Sequence, residues 1–375
     1  MPGSVRCKTG ATRITAATAQ TRPRPAREFQ GNIRAVVDRT QLNMQLRAFL
    51  VAAALCLGMV VAHADTEKHP GMNALAAEIS GGDTARANEV LALLNAATYQ
   101  PAIIEAISRP AEGVKPWFDY RKIFMTEARI AGGAEYFEQH RELLTRVEAT
   151  HGVPAEYIVA IVGVETFYGK IMGKWKVLDA LTTLGLYYPP RAPFFRGELV
   201  QFLNLPSRRG IELDLANVQG SYAGAMGLGQ FMPTSFVKWA LDEDADGRID
   251  LWTSPEDALA SVGNYLRDHG WEPGAPVTVS MVPGPGARRL RDTGLDPIFP
   301  LSQLVEWGYQ PADAAIAPEK PSNLLTLEIA DGDFAHYAIF ANFRVITRYN
   351  RSPMYAMAVH ELAQAIRERT GGTLQ

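Results

Sequence analysis

The sequence predicts a mainly α fold with a small β-containing insertion, and three observations carry that reading. Most of residues 65–270 place apolar side chains at helical spacing. One segment, Pro154 to Gly169, is apolar nearly all round and is therefore expected to be buried. Between Trp271 and about Arg344 the pattern shortens to the alternation of strands, after which helix returns.

At the N-terminus, Met44-Gln-Leu-Arg47 precedes an uncharged run from Ala48 to Val61 and then Ala62-His-Ala64. A basic start, an apolar middle and an A-x-A site make 44–64 an expected secretory signal, which implies an exported, periplasmic protein. No later run approaches about eighteen apolar residues, so no spanning helix is expected. Leu55 stands before Cys56 and the apolar run continues past it, which argues against a lipid-anchored cysteine and for a soluble mature form. Residues 1–43 are rich in Arg and Thr without an amphipathic period. They read as a non-native leader upstream of a true start at Met44, or as a disordered basic tail.

The 375-residue chain is 47% hydrophobic and 21% charged, enough for two or three globular domains. Residues 1–64 hold 9 of the 37 Lys and Arg but only 2 of the 40 Asp and Glu. The remainder carries 28 basic against 38 acidic residues, a formal charge of −10. Such an excess of acid argues against nucleic-acid binding, which depends on counterion release by Lys and Arg. Cys7 and Cys56 both precede residue 65, so the mature chain is expected to have no disulfide and no thiol chemistry.

Along the mature chain, Asp83-Thr-Ala-Arg86 leads into a helix over Ala87–Tyr99. Gly133–His151 forms another through Phe137, Leu143, Leu144 and Val147, which defines a helical domain over 65–150. Prolines and aromatics from Tyr187 to Pro193 interrupt the pattern before helix resumes over Gly197–Leu203. Pro233–Leu241 and Pro255–His269 are helical, and Gly270 stops the second, so 151–272 is read as the core. Val277–Val282, Leu324–Ile329 and Tyr337–Phe340 are strand-like pieces of a small domain over 273–345. Ala356–Glu368 returns to helix, and 346–375 completes the core and helical domain.

The candidate catalytic residue is Glu165, because it ends the apolar helix where a charge is disfavoured twice. Burial opposes ionisation, and so does the negative end of the helix dipole. Both favour the protonated carboxyl, as a general acid near neutral pH requires. A surface carboxylate on a frayed last turn, or a buried one paired with Arg, would produce the same pattern.

The acidic loop Asp242-Glu-Asp244-Ala-Asp246-Gly247-Arg248-Ile249-Asp250 matches the first two-thirds of an EF-hand loop. Oxygen ligands fall at positions 1, 3 and 5, glycine at 6 and an apolar residue at 8, with Arg248 at position 7. Thr253 replaces the usual closing Glu, and Glu256 or Asp257 would supply that carboxylate from a lengthened loop. The loop is expected to hold a structural Ca²⁺ through Asp242, Asp244, Asp246 and Arg248, with Asp257 or its neighbour Glu256 closing the set; a solvated acidic turn is the competing reading. The glycine-rich stretch Gly220 to Gly229 lacks a phosphate-loop Gly-Lys-Ser/Thr and follows no expected strand. Its glycines serve close approach, either of a ligand or of a neighbouring helix. His360-Glu361-Leu-Ala-Gln364 misses the zinc motif by its last residue, and no zinc site is expected.

Taken together these residues resemble the B-type lytic murein transglycosylases. The matching blocks are Trp117-Phe-Asp-Tyr120-Arg, Gly163-Val-Glu165-Thr-Phe-Tyr-Gly169, Gly220 to Pro233, the acidic loop, and Ile346-Thr-Arg-Tyr349-Asn350, in the family's order. The resemblance implies a lysozyme-like helical core with an additional helical domain, a small β domain and an EF-hand-type calcium loop. It implies cleavage of the MurNAc-β-1,4-GlcNAc bond of peptidoglycan to 1,6-anhydroMurNAc ends, with Glu165 as acid and then base. By position, Ser221, Gln230, Tyr120, Tyr265, Tyr349, Asn350 and Tyr355 match groove residues. Arg191 matches one of an arginine pair near the peptide side, while Pro190 replaces the other. The expected partners are glycan strands and cell-wall synthesis or remodelling proteins, with the enzyme itself a monomer. A hydrolytic muramidase and an inert wall-binding scaffold are the alternatives.

Overall fold

The computed structural model describes residues 69–372, apart from 109–114, 207–210, 212, 291–292 and 314. The expected leader over 1–43 and signal over 44–64 lie outside the described residues.

Among the described residues, six helices lead to the central one: α1 (Met72–Ser80), α2 (Thr84–Ala96), α3 (Pro101–Ile107), α4 (Trp117–Phe124), α5 (Glu127–Gln139) and α6 (Arg141–His151). The central helix is α7 (Ala155–Thr166). After it come α8 (Val177–Tyr187), α9 (Ala192–Leu203), α10 (Pro233–Trp239) and α11 (Pro255–Asp268).

Local chemistry sets the boundaries. Asp83 Oδ1 accepts from the backbone N–H of Ala85 and Arg86, so α2 starts at Thr84, ahead of the expected Ala87, and it ends before Tyr99. Such a cap is worth about 1 kcal/mol. The single helix expected over Gly133–His151 is instead two, α5 and α6, which meet at the non-helical His140. No glycine or proline marks that break. Ser254 caps α11 and Ser352 caps α14 (Pro353–Arg369), each with proline in the first turn, so α14 begins three residues before Ala356.

Every residue of α7 is buried except Glu165, as its all-round apolar sequence requires. Helices α5, α6, α11 and α14 pack around it, and one continuous apolar core runs from Met72 to Ile366.

The β-containing part holds a five-stranded antiparallel sheet in the order β4 (Phe299–Pro300), β6 (Pro321–Ala330), β7 (Asp333–Ile339), β3 (Thr278–Pro283), β5 (Tyr309–Pro311). Leu324 pairs with Ala338, Thr326 with His336, and Met281 with His336. Neighbouring side chains on a strand face opposite ways. Leu325, Leu327 and Ile339 therefore join the helical core, while Leu324, Ala338 and Met281 join a second cluster with Phe340 and with Leu301 and Leu304 of α12 (Leu301–Glu306). Helix α13 (Ala341–Tyr349) then returns the chain to the helical core.

Candidate active site

Glu165 lies in the last turn of α7, half-buried at the end of a buried helix. The chain leaves this helix through two non-glycine residues in the left-handed region, Phe167 (φ 52°) and Tyr168 (φ 59°), and then Gly169. Each left-handed non-glycine costs on the order of 1–3 kcal/mol, so the surroundings must hold the turn. They do so at several points. Thr166 Oγ1 donates to Leu228 O at 2.9 Å and accepts from Gly169 N–H at 3.1 Å. Tyr168 donates its hydroxyl to Arg129 O at 2.8 Å. Arg129 donates through Nε to Gly163 O at 3.0 Å, which places a cation at the negative end of α7, and its guanidinium lies 4.9 Å from the Phe167 ring centre. A Cβ on Gly163 would stand 2.6 Å from the Tyr168 hydroxyl, so glycine is what admits that ring.

The carboxylate faces tyrosines. Tyr355, in the first turn of α14, donates its hydroxyl to Glu165 Oε1 at 2.6 Å. Tyr349, at the end of α13, donates to Gly229 O at 2.6 Å. Burial and then the Glu165 charge push both hydroxyls well above their ordinary ionisation range, so both remain donors. Tyr120 on α4 is buried and close enough to add to the shift at Tyr355. Tyr265 on α11 packs against Tyr349 with ring centres 4.7 Å apart and donates to Arg348 O at 2.7 Å. Asn350 follows at the C-terminal end of α13.

The glycine-rich segment packs against this cluster at Gly229, whose carbonyl accepts from Tyr349. A two-stranded ladder, β1 (Trp175–Lys176) with β2 (Gln219–Gly220), ties it to the chain just after Glu165. Ser221 Oγ accepts from Ala223 and Ala225 N–H, and so shapes the turn. Gln230 is in the left-handed region (φ 52°) and donates through Nε2 to Met172 O at 3.2 Å and Gly227 O at 2.9 Å. Of the two uses weighed for the glycines, packing accounts for the pair nearest the site. A Cβ on Gly227 would lie 2.4 Å from Leu251 O, and one on Gly229 would lie 2.9 Å from the Tyr349 hydroxyl.

Arg191 stands on an exposed turn, 4.6 Å from the Phe194 ring centre and 5.0 Å from that of Phe195. Asp179, a carboxylate in the stretch between Gly169 and Gly197, is buried in the first turn of α8. It accepts from Thr98 N–H at 2.9 Å and Gln100 Nε2 at 3.2 Å, which joins α8 to the α2–α3 connection.

In the acidic loop, carboxylate oxygens of Asp242, Asp244 and Asp257 lie within 4.8 Å of one another and could together hold a cation. Asp257 accepts from Glu243 N–H at 2.8 Å and Asp250 N–H at 2.7 Å, which draws it into the loop. Burial, with the charges of Asp244 and Asp242, pushes its ionisation upward. Asp242 Oδ1 is buried without a hydrogen-bond partner among the described residues, a donor oxygen left for an ion. Hard oxygen ligands of this kind suit Ca²⁺. Glu256 points elsewhere and contributes, after burial, to raising Tyr136 to about 12. Asp246 stands outside the three-carboxylate group, with Oδ1 accepting from Arg248 N–H at 2.8 Å.

Sequence reasoning missed Arg129 and Thr166 as supports of the Glu165 turn. Thr166 was visible one residue after the carboxylate, whereas Arg129 has no local signal. Among the described residues no single helix is long and apolar enough to cross a membrane.

Known proteins share this fold. Membrane-bound lytic murein transglycosylase B of Escherichia coli K12 is 42% identical over 266 residues, which cover 68% of this chain and 71% of that one. The crystal structure of soluble lytic transglycosylase SltB1 from Pseudomonas aeruginosa superposes with a TM-score of 0.75 at 41% identity, covering 81% of this chain and all (100%) of that one. Escherichia coli lytic transglycosylase Slt35 in complex with calcium gives a TM-score of 0.74 at 35% identity, over 82% of this chain and 96% of that one. A lysozyme-like helical frame, with these relatives, defines a lytic transglycosylase, an enzyme that cleaves peptidoglycan. The transglycosylase SLT domain matches residues 69–364, and the chain belongs to that family.

Proposed function

We propose that the enzyme cleaves the MurNAc-β-1,4-GlcNAc bond and closes the muramic acid to a 1,6-anhydro ring, with Glu165 acting in both steps. Protonated Glu165 gives its proton to the glycosidic oxygen as the C1–O bond breaks. The neighbouring N-acetyl carbonyl supports C1. The Glu165 carboxylate then takes the C6 hydroxyl proton as that oxygen attacks C1. No water is consumed, and the acid is regenerated.

The observation that carries this reading is the Glu165–Tyr355 hydrogen bond at the end of a buried helix, which fixes one carboxylate for proton transfer. Asp179 is spent on backbone and amide donors, which supports a mechanism without it as a second catalytic carboxylate. Ser221, Gln230, Tyr120, Tyr265, Tyr349, Asn350 and Tyr355 line the glycan groove in this reading, with Arg191 toward the peptide side. The acidic loop acts as an EF-hand-type site in which Asp242, Asp244 and Asp257, with Asp246 and Arg248 in the same loop, hold a stabilising Ca²⁺. A periplasmic site of action follows from the substrate.

Mass spectrometry of digested sacculi tests the reaction. Products lighter by one water than hydrolysed muropeptides are expected, and fully hydrated ends would replace this reading with a muramidase.

A further inference from the structure

A groove of about 1240 Å³ opens in the β-containing part, and none of the tyrosines around Glu165 lines it. Its floor includes Thr326 and His336 on the sheet, and its wall is the connection carrying Arg289 and Leu290. Phe334, half exposed at 50%, and Pro353 also line it. Pro353 ties the groove to catalysis, because it starts α14 two residues before Tyr355, the residue bonded to Glu165.

The lining is chemically selective. In a chain with a large acidic excess, it contains no Asp or Glu among the described residues. It does contain the exposed Arg289, which has no carboxylate partner among the described residues. Burial lowers the His336 imidazole below its usual range, and Thr326 shares a 2.9 Å hydrogen bond with its Nδ1. The rest is mainly aliphatic or aromatic. A neutral sugar offers no charge to Arg289, and the volume exceeds that of most small-molecule sites, at about 300–1,000 Å³. An acidic peptide meets both conditions, because its carboxylates suit Arg289 and its side chains suit the apolar walls.

We propose that this groove binds the stem peptide of a glycan strand held at Glu165, with Arg289 pairing with a peptide carboxylate. The inference rests on the peptidoglycan-cleaving activity. It makes the β-containing part a substrate-reading element, separate from Arg191.

Two measurements test it. Cleavage by wild type and Arg289→Glu is compared on strands bearing stem peptides and on the same strands stripped by an amidase. The variant is expected to lose about tenfold in kcat/KM on peptide-bearing strands, mostly through KM, and nothing on stripped ones. Equal loss on both, or none on either, overturns the proposal. Titration of the free tetrapeptide L-Ala-γ-D-Glu-diaminopimelate-D-Ala into Glu165→Gln protein reads the groove without turnover. Binding there that Arg289→Glu weakens about tenfold supports the proposal, and binding that is absent or indifferent to Arg289 defeats it. Failure of wild type to cleave any strand would instead fault the activity itself.

Discussion

Tyr355 donates to Glu165 across 190 residues of sequence, at 2.6 Å, and both ends of that bond sit on helices packed against each other. The donor stays protonated because burial and the Glu165 charge raise its ionisation. Tyr355→Phe therefore removes one charge-assisted hydrogen bond while keeping the ring. Such bonds are worth about 1.5–3 kcal/mol, so a loss of roughly 10- to 100-fold in kcat with little change in KM is expected. Glu165→Gln should cost more, about 10²–10⁴-fold, at an unchanged melting temperature. Steady-state kinetics on purified sacculi check both, and full activity in Glu165→Gln would unseat it as the acid.

Calcium should raise stability through Asp257. A ligand bound only to the native state at about 100 times its Kd adds roughly 2.7 kcal/mol. Melting curves with added Ca²⁺ and with chelator are expected to separate for wild type and for Glu256→Gln. They should coincide for Asp257→Ala, because Glu256 lies outside the three-carboxylate group.

Acid should destabilise the fold through histidines buried in the neutral state. His360 on α14 shares hydrogen bonds with Tyr157 Oη at 2.7 Å and Thr278 Oγ1 at 3.0 Å, and burial pushes it down to about 4. The unfolded chain takes up that proton near pH 6.5, so between about 6.5 and 4 the unfolded state binds more protons. Stability is complete above pH 6.5 and declines as pH falls to 4, by about 3 kcal/mol for this residue. His151 is likewise pushed down to about 4, first by burial and then by Arg267, and neither ring nitrogen has a partner among the described residues. His151→Leu is expected to melt no lower than wild type at pH 7 and to show a shallower fall toward pH 4. A steeper fall would contradict the assignment.

Two glycines should respond oppositely to alanine. Gly197 lies inside α9 with nothing within 4 Å of an added Cβ, so Gly197→Ala should stabilise by about 0.5–1 kcal/mol. Gly227 has φ 71° and would place Cβ 2.4 Å from a backbone carbonyl, so Gly227→Ala should cost more than about 2 kcal/mol. Chemical denaturation of the two variants decides.

The sequence made α7 and its terminal carboxylate readable because an apolar surface on every side leaves a helix no option but burial. Helix α14 was also visible, though not its start, which depends on the Ser352 cap. Other features were not local. The α5–α6 break at His140 carries no glycine or proline, and α13 contains Phe343, Val345, Ile346 and Thr347, residues that favour strands, yet packing makes it helical. Glu256 and Asp257 are adjacent on the first turn of α11, and only the packing of that helix decides which reaches the loop. Tyr168, three residues after Glu165 in the sequence, fills the gap between α5 and α7.

Leu324 and Leu325 point to opposite faces of one strand, one into the outer cluster and the other into the helical core. The sheet is thus a party wall rather than an annex. Excising it to obtain a minimal catalytic fragment would strip an apolar lining from the helical core, first of all from α4, which carries Tyr120. Shortening is better tolerated at the Gly332 hairpin tip, where the chain is exposed and nothing crowds the backbone.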